Sequence, residues 1–292
     1  MPPDVAAENE EATEAWSGVL FDRFVQFRHL IVDGLARHGA AALASNPPRP
    51  GDRVVDLGCG FGDTTTALAE LVGPEGSALG VDVSAPFIET ATAEAREAGA
   101  DNVSFLAGDV QVMELPGPFD YAFSRMGIMF FANPVAALRN VRESLAPGGR
   151  FVAIVWRRRE DNPWVHRAQL VVDQYLEEPE ESDEPTCGPG PFSMANADTV
   201  TAQLLAAGFE HVAVERSEAP LKVGNDIEEA VAMNMAIGPA AELIRLTGDE
   251  AEAIRPKLER EIGEAVAEYD QGADGVLAPS STWIVTASAP DA

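Results

Sequence analysis

The stretch Val54-Val55-Asp56-Leu57-Gly58-Cys59-Gly60-Phe61-Gly62-Asp63 decides the fold. A short apolar strand runs into an acid and a glycine turn, and the turn opens a helix near Asp63. Glycine at alternate positions lets the backbone turn tightly and approach a ligand, because no Cβ stands in the way. The free N–H groups at the start of the helix face the same space. A dinucleotide fingerprint requires G-x-G-x-x-G, and its third glycine is replaced here by Asp63. The pattern is instead G-x-G-x-G preceded by D-x.

Outward from this turn, strand and helix patterns alternate. The strand Arg53–Leu57 and the helix Asp63–Val72 are followed by the turn Gly73-Pro74-Glu75-Gly76 and a strand over Ala78–Val83. Ser84 is a good N-cap for a helix running to Ala98, where Gly99 stops it. Strands over Val103–Ala107 and Phe119–Ser124, a helix over Val135–Leu145 and an apolar strand over Arg150–Trp156 complete the series. Repeated units of this kind imply an α/β, Rossmann-like, doubly wound sheet of seven mostly parallel strands, with N-terminal helices and a helical cap.

Upstream, Trp16, Leu20, Phe24, Phe27, Ile31 and Leu35 recur at steps of three and four, which predicts one amphipathic helix after a frayed acidic start. The breaker Ser45-Asn46-Pro47-Pro48-Arg49-Pro50-Gly51 leads into the main domain. Downstream the spacing predicts helices over Pro163–Leu176 and Asp198–Ala207, a sixth strand over Phe209–Ser217 and a short last strand over Thr282–Ala287. The expected organisation is a helical segment over 1–50 and a core over 51–218 with a helical excursion at 160–200. A cap over 219–280 follows, and the core's last strand lies within 281–292.

Composition narrows the function. The 292 residues carry 48 acidic and 20 basic side chains, a formal net charge of −28. Such a field repels nucleic acid and anionic membrane surfaces. No apolar stretch approaches the ~20 residues of a membrane helix. The start Met1-Pro2-Pro3-Asp4 lacks the basic and apolar regions of a signal peptide, so a cytoplasmic chain without membrane insertion is expected. Cys59 and Cys187 make neither a disulfide framework nor a metal cluster, and no metal is expected. The run Glu177-Glu178-Pro179-Glu180-Glu181-Ser182-Asp183-Glu184 reads as a solvated loop.

The landmarks of residues 50–160 resemble the class I S-adenosylmethionine (SAM) dependent methyltransferases, beginning with the Asp56–Gly62 loop. The resemblance implies SAM as cofactor, S-adenosylhomocysteine as product, and a loop of Asp56, Gly58, Cys59, Gly60 and Gly62 facing the methionine and ribose part. Asp82, ending the second strand beside Val83, corresponds to the acid that accepts the ribose hydroxyls. Gly108-Asp109-Val110 resembles the adenine-binding segment, with Asp109 taking the exocyclic amine and the Val110 backbone N–H meeting a ring nitrogen. Ser124-Arg125 lies where a backbone carbonyl of the family meets the methionine amino group. Asp56 either touches SAM or orients the loop through backbone N–H bonds.

The acceptor pocket is expected over the C-terminal strand ends, lined by Trp16, Phe24, Phe27, Arg28, Met126, Met129, Phe130, Trp156 and Trp164. The helical insert is expected to act as a lid carrying Met233 and Met235. His29 and His166 are the candidate catalytic bases. Ser124-Arg125-Met126-Gly127 stands where methyltransferases of exocyclic amines carry N/D-P-P-Y/F, which speaks against that chemistry. The segments Phe123–Phe131 and Asn162-Pro163-Trp164 look like the quinone-biosynthesis-related branch (methyltransferase types 11 and 25). The implied activity is methylation of a small, largely apolar acceptor at oxygen, nitrogen or carbon by a monomer or homodimer. The alternatives are a SAM- or S-adenosylhomocysteine-binding sensor or partner subunit without turnover and, more weakly, a nicotinamide-dependent reductase.

Overall fold

Val54, Val55, Asp56 and Leu57 are all buried, as befits a strand covered on both faces. In the computed structural model, which describes residues 5–177 and 188–291, this strand is the centre of the molecule. Its sheet is built from β1 (Arg53–Leu57), β2 (Ser77–Asp82), β3 (Val103–Ala107), β4 (Phe119–Arg125), β5 (Leu145–Trp156), β6 (Glu210–Gly224) and β7 (Val276–Ser288). The order is β3-β2-β1-β4-β5-β7-β6. β7 runs antiparallel to both its neighbours, and the remaining pairs are parallel. The expected seven-stranded, mostly parallel sheet is present.

The strand order reverses between β1 and β4, which opens a crevice at their C-terminal ends. The two chains pass so closely there that a Cβ on Gly58 would stand 2.7 Å from the Gly127 Cα. Glycine is required on steric grounds as well as by its φ of 67°.

The helices are α1 (Glu10–Ser17), α2 (Val19–Gln26), α3 (Arg28–Ser45), α4 (Asp63–Val72), α5 (Ala85–Ala98), α6 (Pro134–Ser144), α7 (Pro163–Val172), α8 (Ala197–Ala207), α9 (Ile227–Asn234), α10 (Pro239–Thr247), α11 (Asp249–Ala253) and α12 (Arg255–Val266). A main core joins both faces of the sheet to α3, α4 and α6. A second, smaller core is made by α7, α9, α10 and α12 around Val172, Val231, Leu258 and Ile262.

Four expectations change. The single N-terminal helix is three, broken at Gly18 and Phe27, whose backbone angles are not helical. The start is not frayed over the described residues, since Asn9, Ala12 and Ala15 are buried. The Ser84 side chain does not cap its own helix; its hydroxyl donates to the Trp16 carbonyl at the end of α1 (3.0 Å). Finally, β6 and β7 extend well past the expected limits, so the boundaries at 218 and 281 fall inside strands.

The prolines explain that last miss. Pro220 and Pro279, residues that ordinarily disfavour strands, face each other in the β6–β7 pair. β6 is an edge strand, and β7 pairs with β5 only from Thr282 onward, so neither proline interrupts a two-sided ladder. The acidic run from Glu178 onward, and Cys187, lie outside the described residues.

Candidate functional site

The floor of the crevice is the β1–α4 turn and the ends of β2 and β3. Gly58, Gly60 and Gly62 all have positive φ, and a Cβ on Gly60 would meet nothing within 4 Å. The turn therefore leaves open space above it. The Gly60 N–H donates to Asp82 Oδ2 (2.9 Å) and the Ser84 N–H to Asp82 Oδ1 (3.0 Å). The carboxylate keeps an accepting position for a further donor such as a hydroxyl. Burial pushes the Asp82 carboxyl up, and the N–H groups of Ser84, Gly60 and Val83 pull it back.

Asp109, at the end of β3, is buried and more heavily used. Its Oδ2 accepts from the Ala6 N–H (3.0 Å) and from Asn9 Nδ2 (2.8 Å), and its Oδ1 from the Gln111 N–H (2.8 Å). One accepting position remains on Oδ1. The segment before α1 is thus tied to the floor it covers.

Asp56 and Ser124 stand behind the turn. Asp56 Oδ2 accepts from Thr65 Oγ1 in the first turn of α4 (2.7 Å), and Ser124 Oγ donates to the Leu57 carbonyl (2.7 Å). Burial drives Asp56 up to about 7, with Asp63 and Asp82 adding and Thr65 and Arg125 opposing. Burial also pushes the Cys59 thiol up, which keeps it protonated.

Above this floor one cavity of about 750 Å³ runs from the glycine turn to α10. Its glycine-turn end is walled by Gly58, Cys59, Gly60, Asp82, Val83, Asp109 and Val110, with Asn9 from just before α1 and Trp16 from α1. Its far end is largely carbon and aromatic: Phe24, Met129, Phe130, Trp156, Trp164, Leu221, Met233 and Leu243. Trp16 packs edge-on against both Phe24 (5.3 Å) and Phe130 (4.9 Å), joining the two ends.

Three arginines line this space, Arg23, Arg125 and Arg159. Arg125 Nη2 pairs with Asp63 Oδ2 at 2.6 Å, and both residues line the cavity. Arg23, from α2, donates to the Ala236 carbonyl beyond α9 (3.1 Å). Burial and the nearby Arg245 lower its pKa, and Glu242 opposes them.

Among the sequence-derived site residues, Gly58, Cys59, Gly60, Asp82, Val83, Asp109, Val110, Arg125, Trp16, Phe24, Met126, Met129, Phe130, Trp156 and Trp164 line the one cavity. Met126 sits there with a φ of 62°, a strained conformation for a side chain of its size. Asp56, Gly62, Ser124, Phe27 and Arg28 do not line it. Phe27 is core, and Arg28 lies over the Phe61 ring (4.2 Å) and pairs with Glu94.

Neither candidate base is brought in. His29 is half exposed and pairs with Glu229 (2.9 Å), and His166 is not part of the cavity wall although Trp164 and Val165 beside it are. A helix shows only one stripe to a pocket, and these histidines fall off it. Of the two lid methionines, Met233 lines the cavity and Met235 is packed in the second core.

Sequence reasoning missed Asp63, Asn9, Arg23 and Gln169 as wall residues. Asp63 carried a signal, an acid in the first turn of a helix beside a ligand loop. It also missed His38, buried behind Arg125 and edge-on to Trp156 (5.8 Å). Ser280 Oγ donates to the Ala219 carbonyl, so it accepts from His38 Nε2–H (2.7 Å) and fixes the tautomer. Burial first, then Arg125, lowers this imidazole to about 4. Among the described residues no cluster of His, Cys, Asp or Glu gathers to hold a metal ion, and no helix is long and apolar enough to cross a membrane.

Residues 48–181 match the sequence model of a family described as a methyltransferase domain. Similar curated proteins include the aklanonic acid methyltransferase DauC of Streptomyces sp. strain C5, 35% identical over 41% of this chain and 56% of that protein. The nocamycin O-methyltransferase of Saccharothrix syringae is 36% identical over 35% of this chain and 37% of that one. The demethylmenaquinone methyltransferase of Lactococcus lactis is 35% identical over 35% and 40%. The chain thus spans about half or less of the length of these relatives.

Solved structures share the fold. The YcgJ protein of Bacillus subtilis aligns with a TM-score of 0.57 at 16% identity, over 88% of this chain and all of that one. Phosphoethanolamine N-methyltransferase 2 of Haemonchus contortus aligns at 0.53 and 13%, over 98% of this chain and 61% of that one.

Proposed function

We propose that this chain, whose residues 48–181 match the methyltransferase-domain model, transfers a methyl group from SAM to a small, largely apolar acceptor. One observation carries the reading: a single cavity joins the glycine turn and the acids Asp82 and Asp109 to an aromatic pocket. The residues present fit the cofactor. Asp82 keeps an accepting position for a ribose hydroxyl, Asp109 has one for the adenine amine, and Gly60 leaves the loop uncovered. When bound, SAM supplies an electrophilic methyl group on a sulfonium.

The protein's part is orientation and exclusion of water. The turn and Asp82 hold the donor end. Trp16, Phe24, Phe130 and Trp156 bound the acceptor on its apolar sides, and Arg125, held by Asp63, presents a fixed positive group between the two ends. With neither His29 nor His166 in the cavity wall, the reading assigns no histidine base. The relatives' names, aklanonic acid methyltransferase and demethylmenaquinone methyltransferase among them, agree with a small-molecule acceptor.

Asp82→Ala is expected to weaken SAM binding by roughly 1.5–3 kcal/mol, the range for hydrogen bonds to a charged group. Titration calorimetry on wild type and variant checks this, and unchanged affinity would remove Asp82 from the cofactor site. Incubation with methyl-labelled SAM and a metabolite extract tests turnover. Tight SAM binding with no labelled product would favour the non-catalytic binding protein.

A further inference from the structure

Six buried side-chain atoms among the described residues have no hydrogen-bond partner, and only two of them belong to residues that line the cavity. They are Trp164 Nε1, a donor, and Gln169 Oε1, an acceptor, both on α7 and both on side chains more than nine-tenths buried. Leaving such a group unpaired in a protein interior costs about 1–3 kcal/mol.

The identity of the free atom on Gln169 is set by its neighbour. The amide nitrogen donates to Asp173 Oδ1. Turning the amide over would press its oxygen against a carboxylate, so the unpaired atom is the oxygen. The indole has no such choice, because its nitrogen only donates. The wall there includes the carbon side chains of Val165, Leu176 and Leu243, and neither atom has a partner in it.

We propose that Trp164 Nε1–H and Gln169 Oε1 are the hydrogen-bonding pair that recognises the methyl acceptor. The acceptor is then a ring-bearing molecule that carries both a carbonyl oxygen, for the indole N–H, and a hydroxyl, for the amide oxygen. A ring on the acceptor suits the aromatic wall here, where the Trp156 and Trp164 rings pack with centroids 5.6 Å apart. This rests on the proposed methyltransferase reading and adds the chemistry of the acceptor to it.

Three tricyclic probes separate the contributions: 2-hydroxyfluorenone has both groups, fluorenone lacks the hydroxyl, and 2-hydroxyfluorene lacks the carbonyl. Binding is read by quenching of tryptophan fluorescence and confirmed by calorimetry, with and without S-adenosylhomocysteine. Wild type is expected to bind 2-hydroxyfluorenone about ten-fold more tightly than either partner, the worth of one neutral hydrogen bond. Trp164→Phe should erase the advantage over 2-hydroxyfluorene only, and Gln169→Met the advantage over fluorenone only.

Because each readout is a ratio between probes, general loosening of the pocket does not imitate it. If Trp164→Phe fails to fold, Gln169→Met decides alone. Equal binding of all three probes to wild type, or unchanged ratios in the variants, overturns the proposal. Selective probe binding without S-adenosylhomocysteine binding would sink the methyltransferase reading and leave the recognition pair standing. The reverse result would sink the pair alone.

Discussion

Asp56 couples the glycine turn to pH. Its carboxyl moves from 3.8 to about 7 on folding, chiefly through burial. Between those values the folded chain binds more protons at this site than the unfolded chain, so stability falls as pH rises. The contribution is complete below about 4 and lost through 7. His38 acts with the opposite sign, since its fall from 6.5 to about 4 makes stability rise with pH in that window. Asp56→Asn can still accept from Thr65 and does not ionise. Its stability relative to wild type should climb by up to ~3 kcal/mol from pH 4 to pH 7.5. Urea melts at stepped pH measure it, and a constant difference would mean Asp56 is not strained by its charge. The acid at position 56 was legible as part of the turn. Its burial was not, because nothing in Val-Val-Asp-Leu says that Thr65 will close over it.

At the level of elements, the N-terminal region shows where pattern reading fails. Its apolar residues keep a helical period from Trp16 to Leu35, and that period is real within each piece. Gly18 and Phe27 turn the chain between the pieces, so α1 can pack against α5 while α3 packs on β6. The deciding interactions are long-range: Ser84 to the Trp16 carbonyl and Asn9 to Asp109. Neither partner can be read from local spacing. Ser84→Ala leaves the α1 carbonyl without its hydroxyl and should speed amide exchange in α1 about five-fold, from a loss near 1 kcal/mol. Exchange in β1, β4 and β5 should not change. If α1 exchanges at the wild-type rate, the bond does not hold the roof.

For the whole molecule, the alternating βα units were enough to foretell the sheet, because each strand's apolar run and each helix cap are local signals. The Asp82 and Asp109 positions came with them, since strand ends in such a sheet share one side. The proposed acceptor end was less legible, being assembled from α2, α7, β6 and α10, which together span more than 200 residues of sequence. Arg23 crosses the seam between two of these parts by donating to Ala236. Residence time then becomes a shared property: a molecule at either end keeps the seam shut and slows the departure of a molecule at the other. S-adenosylhomocysteine should leave about five-fold more slowly when 2-hydroxyfluorenone is present, within the usual range of coupling between sites. Arg23→Ala should abolish that dependence and shorten both stays, whereas equal departure rates in stopped-flow, with and without the second molecule, would show two roofs that open independently.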